Sequence, residues 1–375
     1  MAALLGDELR ERIRNSGPLT FEAFMALALY HPAGGYYATR VPGAGGDYGT
    51  APSLTPWFGR LVAREFAGMW ESMGRPPTFT VVEAGAGRAD LAAAALEGAG
   101  GLAGVLRWRI VEQFSAVAAL QQDRLGPLAE RVTWSDEIAA PAGEEPGPGC
   151  VLAHEVLDNF PVHAFETQPG GAVAEVYVDL GGDGLVERLG PLSDPGLREA
   201  ALAAGGQLPP GRRFEVCSGY DPWLRAAARA IDAGYLLILD YGDVEPDLWA
   251  HHPRGSVVTY GPDGLGDDPL ADPGRRDVTA EVNFSAVERA ARRCGFEPDR
   301  YTTQREWLAA LGHGALVDDL DARAAAAAAE GRNADAFALS AEAAELAALV
   351  ARLGYGDIMV FRAVLPAAWR RAATP

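Results

Sequence analysis

The chain contains no lysine, and all 32 of its basic residues are arginine. A phosphate-binding P-loop requires lysine in the pattern G-x-x-x-x-G-K-[ST], so this class of nucleotide site is excluded. Positive charge is also in the minority, because 51 acidic residues give a net charge of −19, which opposes binding to a phosphate backbone. We therefore expect no nucleic acid partner. Arginine in place of lysine, with abundant alanine and glycine, is typical of GC-rich coding and indicates a bacterial source.

Cysteine and long apolar runs are scarce as well. Cys150, Cys217 and Cys294 are far apart without C-x-x-C spacing, which indicates neither a zinc site nor a disulfide framework. The six histidines are not spaced as metal ligands, so we expect no metal. No stretch approaches the roughly 18 apolar residues of a membrane span, and charged residues from Asp7 onward interrupt any signal peptide. We expect a cytoplasmic protein that does not contact a membrane.

The most informative segment is residues 79–90, where a β-branched run leads into a glycine turn and then an alanine-rich stretch. The pattern predicts a buried parallel strand, a sharp turn at Gly85-Ala86-Gly87 and a helix that begins near Asp90. The free N–H groups at such a helix start are typical of a nucleotide-cofactor site. A dinucleotide site requires a third glycine where this chain has Asp90, which disfavours NAD.

Glu83 precedes the first glycine of this turn by two residues. A carboxylate there suits a ligand with an ammonium group, which the methionine part of S-adenosylmethionine carries and pyrophosphate cofactors lack. We therefore predict that Glu83 and the turn Gly85-Ala86-Gly87 bind S-adenosylmethionine, whose product after methyl transfer is S-adenosylhomocysteine. The alternative is a tight strand-to-helix turn without a ligand.

Two further acidic residues follow short predicted strands. Glu112 lies at the distance expected of the acid that binds both ribose hydroxyls, and Gln113 is its neighbour in the predicted cofactor site. Asp136 is a candidate acceptor for the adenine amine. The alternative for Asp136 is the N-cap of a helix that begins at the next residue.

Strands and helices alternate between residues 79 and 162, which is the pattern of a parallel sheet. A late strand near residues 302–304 and a last strand at 358–364 complete a Rossmann-like, seven-stranded class I methyltransferase sheet. Between them, the alanine-rich residues 321–350 are helical by propensity. The sequence therefore predicts an α/β fold with its ligand at the carboxyl ends of the strands.

The chain divides into three predicted regions. Residues 1–75 form an N-terminal cap of helices and loops. Residues 76–162 and 234–375 form the methyltransferase core. Residues 163–233 show alternating apolar segments between Pro and Gly, which predict an antiparallel insertion that shapes the substrate pocket.

A glycine-rich loop at residues 32–52 of the cap combines backbone freedom with aromatic side chains. Such loops commonly close over ligands, although an ordinary mobile surface loop is the alternative. In this loop Asp47 and Thr50 are candidates for cofactor binding, and Tyr48 is a candidate for substrate binding.

Two carboxylates, Glu155 and Asp158, follow the fourth predicted strand. Methyl transfer is an in-line displacement on a sulfonium, in which the protein orients the nucleophile and takes its proton. Glu155 and Asp158 are candidates for both tasks, and His154 is a candidate base. Tyr241, after a later strand, is a candidate for a hydrogen bond to the substrate. The alternatives are that Asp158 caps a turn, Glu155 bonds to backbone and His154 is structural.

Three more residues are candidates for contact with the substrate. They are Glu215 in the predicted insertion, Tyr260, and Asp277. The alternatives are an exposed strand carboxylate for Glu215 and a helix N-cap for Asp277.

Several ordered motifs cover nearly the whole chain: Pro32-Ala33-Gly34-Gly35-Tyr36-Tyr37, Gly46-Asp47-Tyr48-Gly49-Thr50-Ala51-Pro52, Phe58-Gly59, Glu83-Ala84-Gly85-Ala86-Gly87-Arg88, Ala153-His154-Glu155-Val156-Leu157-Asp158-Asn159-Phe160-Pro161-Val162, Asp240-Tyr241-Gly242, and Pro273-Gly274 with Asp277-Val278-Thr279 and Phe284. Together they resemble the MidA-like methyltransferase family, which includes a mitochondrial arginine methyltransferase of complex I assembly. The resemblance implies a class I fold that binds S-adenosylmethionine. For the mitochondrial member, it implies methylation of a protein arginine.

Four positions depart from the family pattern. Ser53 stands in place of Glu, His154 in place of Asn, Glu281 in place of His, and Asn283 in place of Asp. The turn after Gly87 also lacks its usual glycine. Because carboxylates normally clamp a guanidinium, the loss of two of them disfavours arginine as the acceptor, although Glu281 replaces one charge.

We therefore predict an S-adenosylmethionine-dependent enzyme that methylates a nitrogen or oxygen of a small metabolite or peptide. The first alternative is a protein arginine N-methyltransferase of the complex I assembly type. The second is a non-catalytic assembly or binding protein that keeps the fold. The expected partner of the enzyme is accordingly a small-molecule, peptide or protein methyl acceptor.

Overall fold

The computed structural model describes residues 2–41, 49–143, 145–182 and 184–367. The chain forms two compact units, each built from three segments of sequence. We call them the core unit (Gly49–Glu155, Trp223–Tyr241 and Ala290–Pro375) and the accessory unit (Met1–Tyr48, Val156–Pro222 and Gly242–Arg289). In this division the first part of the core unit begins inside the predicted cap, and residues 242–289 belong to the accessory unit.

A seven-stranded sheet forms the centre of the core unit. In chain order its strands are β1 (Phe79–Ala84), β2 (Leu106–Val111), β3 (Val132–Ser135), β4 (Gly149–His154), β5 (Gly234–Asp240), β6 (Glu297–Thr303) and β7 (Met359–Leu365). Their order across the sheet is β6-β7-β5-β4-β1-β2-β3. Strands β1 to β5 are parallel, and β7 runs antiparallel to both β5 and β6. The predicted seven-stranded sheet is confirmed.

The central strands are buried because helices of the core unit cover the sheet. Every residue of β4 is buried, which explains why its sequence reads as a continuous apolar run. The helices are Ala51–Leu54, Pro56–Ser72, Asp90–Glu97, Ser115–Leu125, Gln304–Ala310, His313–Ala329 and Asn333–Ala348. Two more helices, Tyr220–Ala230 and Phe284–Arg293, carry the chain from the accessory unit into the core unit. At Gly59, an added Cβ atom would lie 2.6 Å from Ala94 Cβ, so this glycine allows two helices to pack closely.

The alanine-rich residues 321–350 do not form one continuous helix. The helix His313–Ala329 ends before Gly331, whose φ of 73° is left-handed, and Asn333–Ala348 begins just after it. A left-handed glycine commonly ends a helix, because it has no Cβ atom to strain the turn. Alanine propensity therefore predicts the helical state correctly but does not locate this break.

The strands of the larger sheet in the accessory unit are antiparallel. This five-stranded sheet contains Leu19–Thr20, His163–Thr167, Val173–Leu180, Leu185–Gly190 and Arg213–Val216. A smaller sheet contains Val258–Gly261, Gly264–Gly266 and Asp277–Thr279, and Gly242–Asp243 pairs with Val282–Asn283. The helices are Ala2–Ser16, Phe21–Tyr30, Tyr36–Thr39, Leu197–Gly205 and Asp247–His251. In the described parts of both units, no helix is long and apolar enough to cross a membrane.

Candidate active site

The glycine turn after β1 adopts a backbone that few residues other than glycine accept. Gly85 and Gly87 have φ angles of 63° and 51°, in the left-handed region. The amide of Ala89 then donates to the carbonyl of Ala86 at 2.7 Å, and the helix Asp90–Glu97 follows. The turn therefore presents backbone without side chains at its two glycines, at the carboxyl end of a central strand.

Glu83 lies on β1 just before this turn, and its side chain is buried. The indole Nε1 of Trp108 donates to Glu83 Oε2 at 2.8 Å. Burial raises the pKa of Glu83 to about 8, because the charged form loses its hydration, and the bond from Trp108 opposes this only in part. At neutral pH the carboxyl is therefore mostly protonated until a cation approaches it.

Glu112 follows β2, and backbone and side-chain donors hold its carboxylate. The amide of Phe114 donates to Oε1 at 2.9 Å, and the side-chain amide of Gln121 donates to Oε2 at 3.1 Å. Burial raises the pKa of Glu112, and these two hydrogen bonds and one from the backbone of Gln113 oppose that shift. The neighbouring Gln113 is exposed. An oriented carboxylate with free lone pairs is a suitable acceptor for two hydroxyl groups.

A buried arginine organises the loop that carries Asp136. Arg109, on β2, is 6% exposed. Its guanidinium donates to Ser135 Oγ and to the carbonyls of residues 137, 138 and 139 at 2.7–3.2 Å. Asp136 is exposed in a bend, and no helix begins among residues 137–143, so the alternative that Asp136 caps a helix is wrong.

His154 is the last residue of β4 and is buried. Its ring packs against Phe58 at 5.1 Å between centroids, and its Nε2 lies 3.5 Å from Glu155 Oε1. Burial lowers the pKa of His154 to about 3, because a charged imidazolium would lose its hydration. The imidazole is therefore neutral at physiological pH.

Glu155, directly after β4, has a φ of 52°. This is uncommon for a residue with a side chain, and such strain often accompanies functional sites. Its backbone amide donates to the carbonyl of Leu239 at 2.8 Å, and its side chain is 11% exposed. The end of β4 therefore holds a partly buried carboxylate on a backbone that has little conformational freedom.

Tyr355 is a core-unit residue that the sequence does not single out. Its hydroxyl donates to the carbonyl of Gly49 at 3.1 Å. Burial, and to a lesser extent the charge of Glu155, raise the pKa of this phenol, so its hydroxyl keeps its proton. No local pattern marks Tyr355, because Gly49 lies 306 residues before it.

The remaining candidates of the core unit make local backbone contacts. Thr50 caps the short helix Ala51–Leu54 through a reciprocal pair with Ser53, in which the Thr50 amide donates to Ser53 Oγ at 3.0 Å. The amide of Tyr241 donates to Asp240 Oδ1 at 2.9 Å. Asp47 and Tyr48 lie outside the described residues.

In the accessory unit, Asp277 belongs to a buried polar network. Asn159 Nδ2 donates to Asp277 Oδ1 at 2.9 Å, and the Tyr37 hydroxyl lies 2.9 Å from Oδ2. Because Asp277 lies in the strand Asp277–Thr279, the alternative that it caps a helix is wrong. Asp158 is 6% exposed, and its carbonyl accepts the amide of Ala280 at 2.8 Å.

Glu215 is also buried within the accessory unit. Its Oε2 accepts from the amide of Ser256 at 3.1 Å and from the hydroxyl of Ser256 at 2.9 Å. Burial raises the pKa of Glu215. The alternative of an exposed strand carboxylate is therefore wrong. Tyr260, in the strand Val258–Gly261, is partly buried. Within the described residues of the chain, no three His, Cys, Asp or Glu side chains form a metal-binding group.

Sequence comparison identifies relatives. A family model described as "Putative S-adenosyl-L-methionine-dependent methyltransferase" matches residues 61–302. The mouse mitochondrial protein arginine methyltransferase NDUFAF7 is 28% identical over 320 residues, which cover 76% of this chain and 68% of that protein. The human protein is 28% identical over 318 residues, with coverage of 76% and 68%. The Drosophila melanogaster homolog is 26% identical over 337 residues, with coverage of 76% and 70%.

Structural comparison agrees. The crystal structure of a COG1565 superfamily member from Burkholderia thailandensis, bound to S-adenosyl-homocysteine, matches with a TM-score of 0.83 and 27% identity. The match covers 98% of this chain and 92% of that chain. It confirms the class I fold and S-adenosylmethionine as the cofactor. The non-catalytic alternative is set aside, because the matched family consists of methyltransferases. The chain belongs to the MidA-like family of S-adenosylmethionine-dependent methyltransferases.

Proposed function

We propose that this enzyme methylates a nitrogen or oxygen atom of a small metabolite or peptide, and that Glu155 accepts the proton which this atom loses. The proposal rests on the geometry of Glu155 at the end of β4. There a partly buried carboxylate is held in a left-handed backbone conformation, 3.5 Å from a neutral imidazole. Strain of this kind persists where the surrounding structure and function require it.

We propose that the cofactor binds at the carboxyl ends of β1, β2 and β3. Glu83 pairs with the ammonium of the methionine part, and the turn Gly85-Ala86-Gly87 lies against it. Glu112 accepts from the ribose hydroxyls with Gln113 beside it, and Asp136 accepts from the adenine amine. The donor set fits this ligand, because carboxylates suit an ammonium and a diol, and the two left-handed glycines leave backbone without side chains. Thr50 and Asp47 stay predictions as cofactor residues.

The bound cofactor supplies an electrophilic methyl group, and the protein supplies orientation and a base. A nitrogen or oxygen acceptor becomes a better nucleophile when a carboxylate takes its proton at Oε1 or Oε2 of Glu155. His154 is unsuited to this task, because an imidazole with a pKa of about 3 holds a proton only weakly at neutral pH. It supports Glu155 by packing. Asp158, Tyr241, Tyr48, Glu215, Tyr260 and Asp277 stay predictions as residues that position the acceptor.

Arginine methylation of a protein is the second candidate function. It is favoured by the names of the NDUFAF7 relatives, which are 26–28% identical to this chain. It is disfavoured by the departures at Ser53 and Asn283, which remove carboxylates that suit a guanidinium. The cytoplasmic location and the bacterial source stay predictions.

Mass spectrometry after incubation with methyl-labelled S-adenosylmethionine separates the two functions. The acceptors are a panel of small-molecule amines and carboxylic acids, short peptides with and without arginine, and intact arginine-rich protein. We expect label on small acceptors or on peptides without arginine. Label confined to arginine side chains of intact protein would instead establish the second function. A reaction from which the enzyme is omitted controls for spontaneous transfer.

We expect binding of S-adenosylhomocysteine to release a proton from Glu83. At pH 7 this carboxyl is mostly protonated, since its pKa is about 8. The ammonium of the ligand favours the ionised form, so binding lowers the pKa and the proton leaves. The affinity should therefore rise between pH 6 and pH 8, by up to about tenfold per pH unit.

Calorimetry at pH 7 in two buffers of different ionisation enthalpy measures this release directly. Glu83→Gln should abolish the difference in binding heat between the two buffers, because an amide does not titrate. The amide oxygen can still accept the hydrogen bond from Trp108. Glu97→Gln, an exposed change in the helix Asp90–Glu97, is the matched control and should keep the difference. Equal heats in both buffers for the unaltered protein would contradict the ammonium contact.

A further inference from the structure

Gln121 is a fully buried polar residue on the helix Ser115–Leu125. Its Nε2 donates to the carbonyl of Gly87 at 3.0 Å and to Glu112 Oε2 at 3.1 Å. Its Oε1 accepts from the indole Nε1 of Trp134 at 2.9 Å. One side chain thus joins the glycine turn, the carboxylate after β2 and a residue of β3.

The orientation of this amide follows from its partners. An indole N–H only donates, so the atom that faces Trp134 is the carbonyl oxygen. The amino group then faces a backbone carbonyl and a carboxylate, which both accept. Each end of the amide therefore has a matching partner, and a flipped amide would lose all three bonds.

The contact fixes Glu112 in a useful geometry. The Phe114 amide holds Oε1, and Gln121 holds Oε2, so neither oxygen rotates freely. Each oxygen keeps a lone pair for one ribose hydroxyl. Because Gln121 also bonds to Gly87, the carboxylate has a defined position relative to the turn.

We infer that Gln121 is a positioning residue of the cofactor site, which sets the place of the Glu112 carboxylate relative to the glycine turn for a ligand with a ribose diol. The inference rests on the proposed role of Glu112. It extends that role, because Gln121 is inferred to act by holding Glu112 and not by touching the cofactor itself. Two residues of its helix are buried, Gln121 and Leu125. Gln121 is the polar one of the two.

The test is calorimetric titration of the purified enzyme with S-adenosylhomocysteine. Gln121→Met keeps most of the packing and removes the three bonds. We expect affinity to fall about tenfold or more, because a buried hydrogen bond to a charged group is lost. The loss should grow as the pH falls, because burial raises the pKa of Glu112 and removal of its amide donor raises this pKa further. Leu125→Met, a similar change in the same helix, is the control and should leave affinity unchanged.

A double-mutant cycle with Glu112→Ala decides how Gln121 acts. If Gln121 acts through Glu112, Gln121→Met should have little further effect on affinity in the Glu112→Ala background. Equal losses in both backgrounds, or an effect independent of pH, would overturn the inference. If Glu112→Ala alone leaves affinity unchanged, the assigned role of Glu112 fails instead. Thermal unfolding of each variant shows whether the fold is intact.

Discussion

Gly85→Val is expected to reduce the affinity for S-adenosylhomocysteine about 100-fold or more. The fold should be retained. Gly85 has a φ of 63°, a conformation that a β-branched residue strongly disfavours. Valine would also place three carbon atoms at the turn where the proposed site requires bare backbone. Calorimetric titration measures the affinity, and thermal unfolding measures the stability.

The control for this variant separates strain from the loss of the site. Gly74 also has a left-handed φ, of 79°, and a Cβ atom added there would meet nothing within 4 Å. Gly74→Val should therefore cost a similar strain of about 1–2 kcal/mol and leave the affinity unchanged. Normal affinity in Gly85→Val would refute the assignment of the glycine turn to the cofactor.

Glu155→Gln is expected to lower turnover by about 100-fold or more while the affinity for S-adenosylhomocysteine changes little. Glutamine keeps the shape of the side chain but does not take a proton from the acceptor. Turnover is measured as methyl transfer to the acceptor that the labelling experiment identifies. The affinity is measured by calorimetry on the same preparation.

Two further variants show which carboxylate is the base. Asp158→Asn should reduce turnover less than Glu155→Gln, because Asp158 is proposed only to position the acceptor. Glu97→Gln, an exposed change, should have no effect. An unchanged rate in Glu155→Gln would return this residue to a structural role, and a large loss in Asp158→Asn alone would move the base to Asp158.

The sequence predicts the core sheet and the glycine turn because their signals are local. A buried parallel strand is an apolar run, and a left-handed turn requires glycine, so each is visible within about ten residues. Glu83 near the end of β1 and Glu112 just after β2 are predictable for the same reason, since strand ends of a parallel sheet meet at one edge.

Residues that support this edge are not predictable, because their partners are distant in sequence. Gln121 bonds to Gly87, 34 residues before it, and Arg109 bonds to carbonyls 28 to 30 residues after it. In the sequence these are an ordinary helical glutamine and an ordinary strand arginine. Their partners appear only when the sheet brings β1, β2 and β3 together.

The sequence also does not show how a carboxylate is used. Glu215 and Asp277 are predicted as substrate residues from their type and place. In the structure they accept hydrogen bonds from Ser256 and Asn159 inside the accessory unit. Burial and partners, which decide whether a carboxylate is free to meet a ligand, depend on contacts across 41 to 118 residues.

The place of β7 in the sheet has a consequence for synthesis of the protein on the ribosome. Residues 359–365 form the last strand of the described part of the chain, yet they lie between β5 and β6. Until this strand has left the ribosome, β5 exposes its backbone donors and acceptors along one side, and β6 has no strand to pair with. The nascent enzyme therefore presents the open, apolar edge of β5 until β7 is available to pair with it, and such an edge is the kind of surface that chaperones bind and that leads to aggregation.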